Sequence, residues 1–76
     1  MPTRRIMLQV QPEASDATGK IAETVEKSGG RMLPSPRIFP PVLHFTVSEE
    51  IANEIKTKYE SAILRIMNDE EDDDDE

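Results

Sequence analysis

The chain has no cysteine, no tryptophan and one histidine among its 76 residues, and each gap removes a class of chemistry. Without cysteine there is no disulfide framework, no thiol nucleophile and no cysteine-ligated zinc. His44 has no second histidine for an H-E-x-x-H site, and neither a P-loop nor a G-x-G-x-x-G fingerprint is present. Three aromatics, Phe39, Phe45 and Tyr59, allow a small core near the lower size limit for independent folding, so the stability margin is thin. No apolar run reaches the roughly 18 residues of a membrane span. The opening segment meets Gln9 and Gln11 too early for a secretory h-region. The expectation is one cytoplasmic, non-catalytic domain with no cofactor, no metal and no membrane partner.

The charge that is present is unevenly placed. Net charge is −7, yet the last eight residues, Asp69 to Glu76, are all acidic. A run of adjacent carboxylates repels itself and buries nothing, so 69–76 reads as a solvated acidic tail on a nearly neutral domain of residues 1–68. The basic residues of that domain are interspersed with acids and carry no RNP-type aromatic motif, which argues against direct nucleic-acid binding.

Alternation of Ile6, Leu8 and Val10 against Met7, Gln9 and Gln11 predicts a strand over 5–11. Ser15-Asp16-Ala17-Thr18 offers capping oxygens, Ile21 and Val25 lie four apart, and Gly29-Gly30 supplies a stop, so a helix is expected over 16–28. Arg31-Met32-Leu33 reads as a short strand, followed by a connection punctuated by Pro34, Pro36, Pro40 and Pro41. Val42 to Val47 alternates again, with Leu43, Phe45 and Val47 inward. Ser48 caps a second helix over 48–59, with Glu49 and Glu50 at its positive end. Ser61 to Met67 is aliphatic and β-branched; as a strand it puts Ala62, Leu64 and Ile66 inward and Ile63, Arg65 and Met67 outward, although seven residues of periodicity also permit a helical extension.

The order strand, helix, strand, strand, helix, strand is the ferredoxin-like α+β arrangement, with two helices on one face of a four-stranded antiparallel sheet. The other face is left bare and collects Met7, Gln9, Gln11, Val42, His44, Thr46, Ile63, Arg65 and Met67, a mixture that suits a docking surface.

Three segments carry a resemblance. The helix ends in Gly29-Gly30 before the second strand, Phe45-Thr46-Val47-Ser48-Glu49 leads from the third strand into the second helix, and Ile63-Leu64-Arg65-Ile66-Met67-Asn68-Asp69 follows an apolar-X-X-apolar-Glu-X-Asp pattern with Met67 at the glutamate position. In these features residues 5–69 resemble the subtilisin propeptide-like inhibitor family. The resemblance implies a domain that packs its bare sheet face on a subtilisin-type protease and lays its C-terminal segment along the substrate groove. On this expectation Met7, Val42, His44, Ile63, Arg65 and Met67 supply face contacts, and Asn68, Asp69, Glu70 and Glu71 reach into the partner. A rival reading makes the acidic tail the active part, in a regulator or antagonist of a nucleic-acid-handling protein. A homodimer through the bare faces is a third arrangement. The proline-rich segment could present an extended ligand with Arg37, Ile38 and Phe39 at its tip; the favoured expectation is that it folds back on the domain, with Phe39 a candidate for its core.

Overall fold

A computed structural model describes residues 3–71. Four strands, β1 (Thr3–Val10), β2 (Arg31–Met32), β3 (Val42–Ser48) and β4 (Ile63–Glu71), form an antiparallel sheet in the order β2-β3-β1-β4. Helices α1 (Ala17–Lys27) and α2 (Glu49–Lys58) pack on one face of it. This is the ferredoxin-like α+β arrangement expected from the element order, and the segment after Tyr59 is a strand. No helix of the described residues is long and apolar enough to cross a membrane.

The core follows from the alternation of β1. Ile6, Leu8 and Val10 are fully buried, as are Phe45 on β3, Ile21 and Val25 on α1, and Ala52 and Ile55 on α2. Each large aliphatic side chain removed from water in this way contributes about 1.5–3 kcal/mol. Phe39 is 76% exposed, so the core takes Phe45 and not Phe39 from the aromatic set.

Local chemistry sets the helix ends, with one departure from expectation. The Ser48 hydroxyl accepts from the Ile51 amide and caps α2 as predicted. At α1 no side chain caps the start, because a 3-10 turn over Pro12–Ala14 runs into the helix and leaves Asp16 already helical; the Thr18 amide and hydroxyl both donate to the Ser15 carbonyl. The far end of α1 closes on glycine. The Gly29 amide donates to Glu26 and the Gly30 amide to Val25, a pattern that needs the positive φ of 88° at Gly29. Gly30 then passes so close to β3 that a Cβ there would sit 2.4 Å from the Thr46 carbonyl oxygen and 2.7 Å from Val47 Cγ1.

β4 departs most from simple alternation. It starts at Ile63 because Glu60–Ala62 forms a 3-10 turn, and it runs on through Asp69, Glu70 and Glu71, which pair with Ile6, Arg5 and Arg4. The acidic run expected to begin a solvated tail at Asp69 therefore begins inside the sheet; residues 72–76 lie outside the described residues.

The three glycines separate these effects. Gly30→Ala is expected to destabilise by about 1–3 kcal/mol through overpacking, and Gly29→Ala by about 1–2 kcal/mol through its left-handed backbone. Gly19→Ala, in the first turn of α1 with open space around it, is expected to stabilise by about 0.4–1 kcal/mol, chiefly by restricting the unfolded chain. Urea unfolding monitored by circular dichroism measures all three; a stabilising Gly30→Ala would contradict the packing described.

Candidate docking surface

The side of the sheet away from the helices is built by the residues between the buried ones. Opposite partners share a face, so Arg5, Thr46 and Arg31 form one row across β1, β3 and β2, with Glu70 of β4 at its end. Asn68, Met7 and His44 form the next row, and Arg65, Gln9 and Val42 the third.

Two extra residues in β4 set which of its side chains join these rows. Val10 faces Ile63, Gln9 faces Arg65, Leu8 faces Ile66 and Met7 faces Asn68, leaving Leu64 and Met67 as insertions. Each insertion reverses the alternation locally. Ile63, Ile66 and Asp69 consequently lie on the helix side at a spacing of three. This corrects the expected placement of Ile63, which packs against the core, and of Met67, which occupies a bulge and is 40% exposed. Leu64, expected inward, is the other bulge residue and is 43% exposed.

Val42 lies on the predicted face but is 5% exposed, as is its neighbour Gln9. The Gln9 amide Nε2 donates to the Pro40 carbonyl at 3.0 Å, so the proline-rich connection folds onto this end of the face and closes it. His44 is held similarly: its Nδ1 lies 3.1 Å from the Pro34 carbonyl oxygen. That oxygen can only accept, so the hydrogen bond puts the proton on Nδ1. Met7, His44, Arg65 and Asn68 remain together on the open part of the face with Thr46, which was expected on this face, and with Arg5 and Arg31, which were not.

The C-terminal half of β4 is fastened on the helix side. Asp69 Oδ1 accepts from Arg4 Nε at 2.8 Å, and Oδ2 accepts from Lys56 Nζ of α2 at 2.6 Å. Burial acts to raise the Asp69 carboxyl, but the hydrogen bonds from Lys56 and Arg4, helped by both charges, outweigh it and hold the group below the usual carboxylate range. The same contact raises the Arg4 guanidinium. Asp69 thus joins three elements of its own fold, whereas the neighbouring Glu70 is exposed on the opposite face and accepts from Asn68 Nδ2 at 2.8 Å. Glu71, also exposed, pairs with Arg4 at the end of the ladder.

β4 is also an edge of the sheet, with α2 lying mainly over β1 and β3. Ile66, though on the helix side opposite Leu8, is therefore 42% exposed. With Leu64 and Met67 it gives one edge strand three exposed large apolar side chains. Among the described residues no group of three or more His, Asp or Glu side chains is placed to hold a metal ion.

The Asp69 contact makes a signed prediction. Because its folded pKa is depressed, its contribution is complete above the ordinary Asp value of about 3.9 and is lost as pH falls through the lowered folded value. Asp69→Asn should cost about 1–2 kcal/mol at neutral pH, with the gap to the parent chain closing at strongly acid pH in urea titrations. A gap that persists unchanged in acid would contradict the ion-pair origin. In comparisons with family models, curated proteins and solved structures, the chain matches none.

Proposed function

We propose that this chain is a non-catalytic protein-binding domain that engages its partner along β4 and the bare face beside it, and that the partner is a protease of the subtilisin type. The observation that carries this reading is the edge strand β4, which exposes Leu64, Ile66 and Met67 together. An edge strand presents one row of backbone amides and carbonyls with no neighbouring strand in its sheet, the template on which an extended segment of another protein adds as a further strand. Apolar side chains beside that row supply contact area when water is excluded. A protease cleft that holds its substrates extended offers the complementary strand, and the resemblance of residues 5–69 to propeptide-like inhibitors names the class.

The arrangement favours engagement of β4 as it stands in the sheet. Asp69 is tied to Arg4 and Lys56, so the strand that meets a partner is held in place beforehand and less ordering entropy is lost on binding.

Titration of the full chain against a subtilisin-type protease, with a chromogenic peptide as substrate, tests this. The parent chain is expected to inhibit, and Ile66→Lys to weaken inhibition about tenfold or more while retaining its circular dichroism spectrum. Undiminished protease activity at excess inhibitor, with no complex seen in sedimentation, would reject the protease as partner.

A further inference from the structure

β4 carries its charges apart: Arg65 is its one cation, and Asp69, Glu70 and Glu71 close its far end. Residues 65 and 70 are an odd number of steps apart, so in an uninterrupted strand they would face opposite sides. The insertion at Met67 brings them to one side. Arg65 pairs with Gln9 and Glu70 with Arg5, both of which lie on the bare face, while Ile66 and Asp69 share the helix side through Leu8 and Ile6. Read inward from either end, the segment 65–70 therefore presents first the bare face and then the helix side. It is symmetric in its faces and opposite in its charges.

We propose that a second copy of this chain pairs with the first, antiparallel, through β4. The two-fold axis passes between Met67 and Asn68, so that Arg65 of each copy lies opposite Glu70 of the other and Ile66 opposite Asp69. The proposal goes beyond the protease reading and shares only the β4 edge with it. A two-fold contact needs a surface complementary to itself, and an added strand needs side chains of matching face opposite each other. Segment 65–70 meets both demands. Arg65 and Glu70 are exposed, and Glu70 has only neutral Asn68 as a hydrogen-bond donor, so each copy offers one cation and one anion at reciprocal positions. Parallel pairing in register would set like charges side by side instead. The inserted Met67, 40% exposed in one copy, lies beside the axis and meets its counterpart there, so the same bulge occurs symmetrically in both strands. The product is one eight-stranded sheet with all helices on one side, built from two four-stranded sheets of order β2-β3-β1-β4. Growth stops at two copies because the remaining edges, β2, are only two residues long. Segment 65–70 is short against the roughly 20–30 residues a side of a stable interface, so this dimer is weak and forms with concentration. While it lasts, the edge offered to any other partner is covered.

Sedimentation equilibrium of the full chain over about 0.02–2 mM, in about 0.15 M salt to screen the repulsion between two negative chains, tests this. The parent chain is expected to pass from monomer to dimer and no further. Arg65→Glu alone and Glu70→Arg alone each set like charges opposite one another twice, and each should weaken self-association about tenfold or more. An equimolar mixture of the two variants has opposite charges at both positions again and should dimerise as the parent does. Circular dichroism checks that each variant is folded. Amide hydrogen exchange of the parent chain gives a reading that needs no variant: protection within 65–70 should rise with concentration, and protection of β2, α1 and α2 should not. A parent chain that stays monomeric at the highest concentration overturns the proposal. So do a dimer that both single reversals leave intact, a mixture of folded variants no better than its components, and concentration-dependent protection confined to β2 or the helices. No protease enters these measurements, so their failure leaves the protease reading standing, and absence of inhibition leaves the dimer standing.

Discussion

The structure depends on burying both the side chains and the edges of β1. Ile6, Leu8 and Val10 point into the helices while β3 and β4 take up the two rows of its backbone groups. In a chain with so few aromatics, this central strand is where aliphatic burial and complete hydrogen bonding coincide. Residues of β1 that face the other way, Arg5, Met7 and Gln9, are thereby committed to the side that no helix covers. The bare face is a consequence of building a two-layer core with only two helices.

β4 is placed by what it must satisfy on β1. To put Ile63 over Val10, Ile66 over Leu8 and Asp69 over Ile6, it accommodates two extra residues. The same accommodation exposes Leu64 and Met67 and brings the Asp69 carboxylate between Arg4 and Lys56. Bulges and a charged end also make this edge a poorer template for indiscriminate pairing than a flat apolar strand. The edge that is open to a partner and the contact that fastens it therefore have one origin.

The element order, the β1 and β3 faces, the Ser48 cap and the glycine stop were legible because each follows from a local rule that tertiary packing did not override. The last strand was legible as a strand but not in its register. Its inward residues recur every third position, a spacing that simple alternation misassigns and that resembles a helix as readily. No local signal marks an inserted residue in an aliphatic run. Arg4 offered a clue in hindsight: alternation with Ile6 and Leu8 puts a cation on the helix side, which calls for a carboxylate there, and Asp69 is the first one after the last apolar run. Arg5 and Arg31 were hidden for a different reason, since their place in one row, on either side of Thr46, depends on the β1-β3-β2 order and not on anything adjacent in sequence.

The central claim is the shifted pairing of β4 with β1, and cross-strand nuclear Overhauser contacts in the full chain test it most directly. The account predicts contacts that join Val10 to Ile63, Leu8 to Ile66 and Met7 to Asn68, as the register places them. An uninterrupted register that brings Leu64 or Met67 opposite a core residue of β1, or helix-type contacts between residues three apart within Ser61 to Met67, would contradict it.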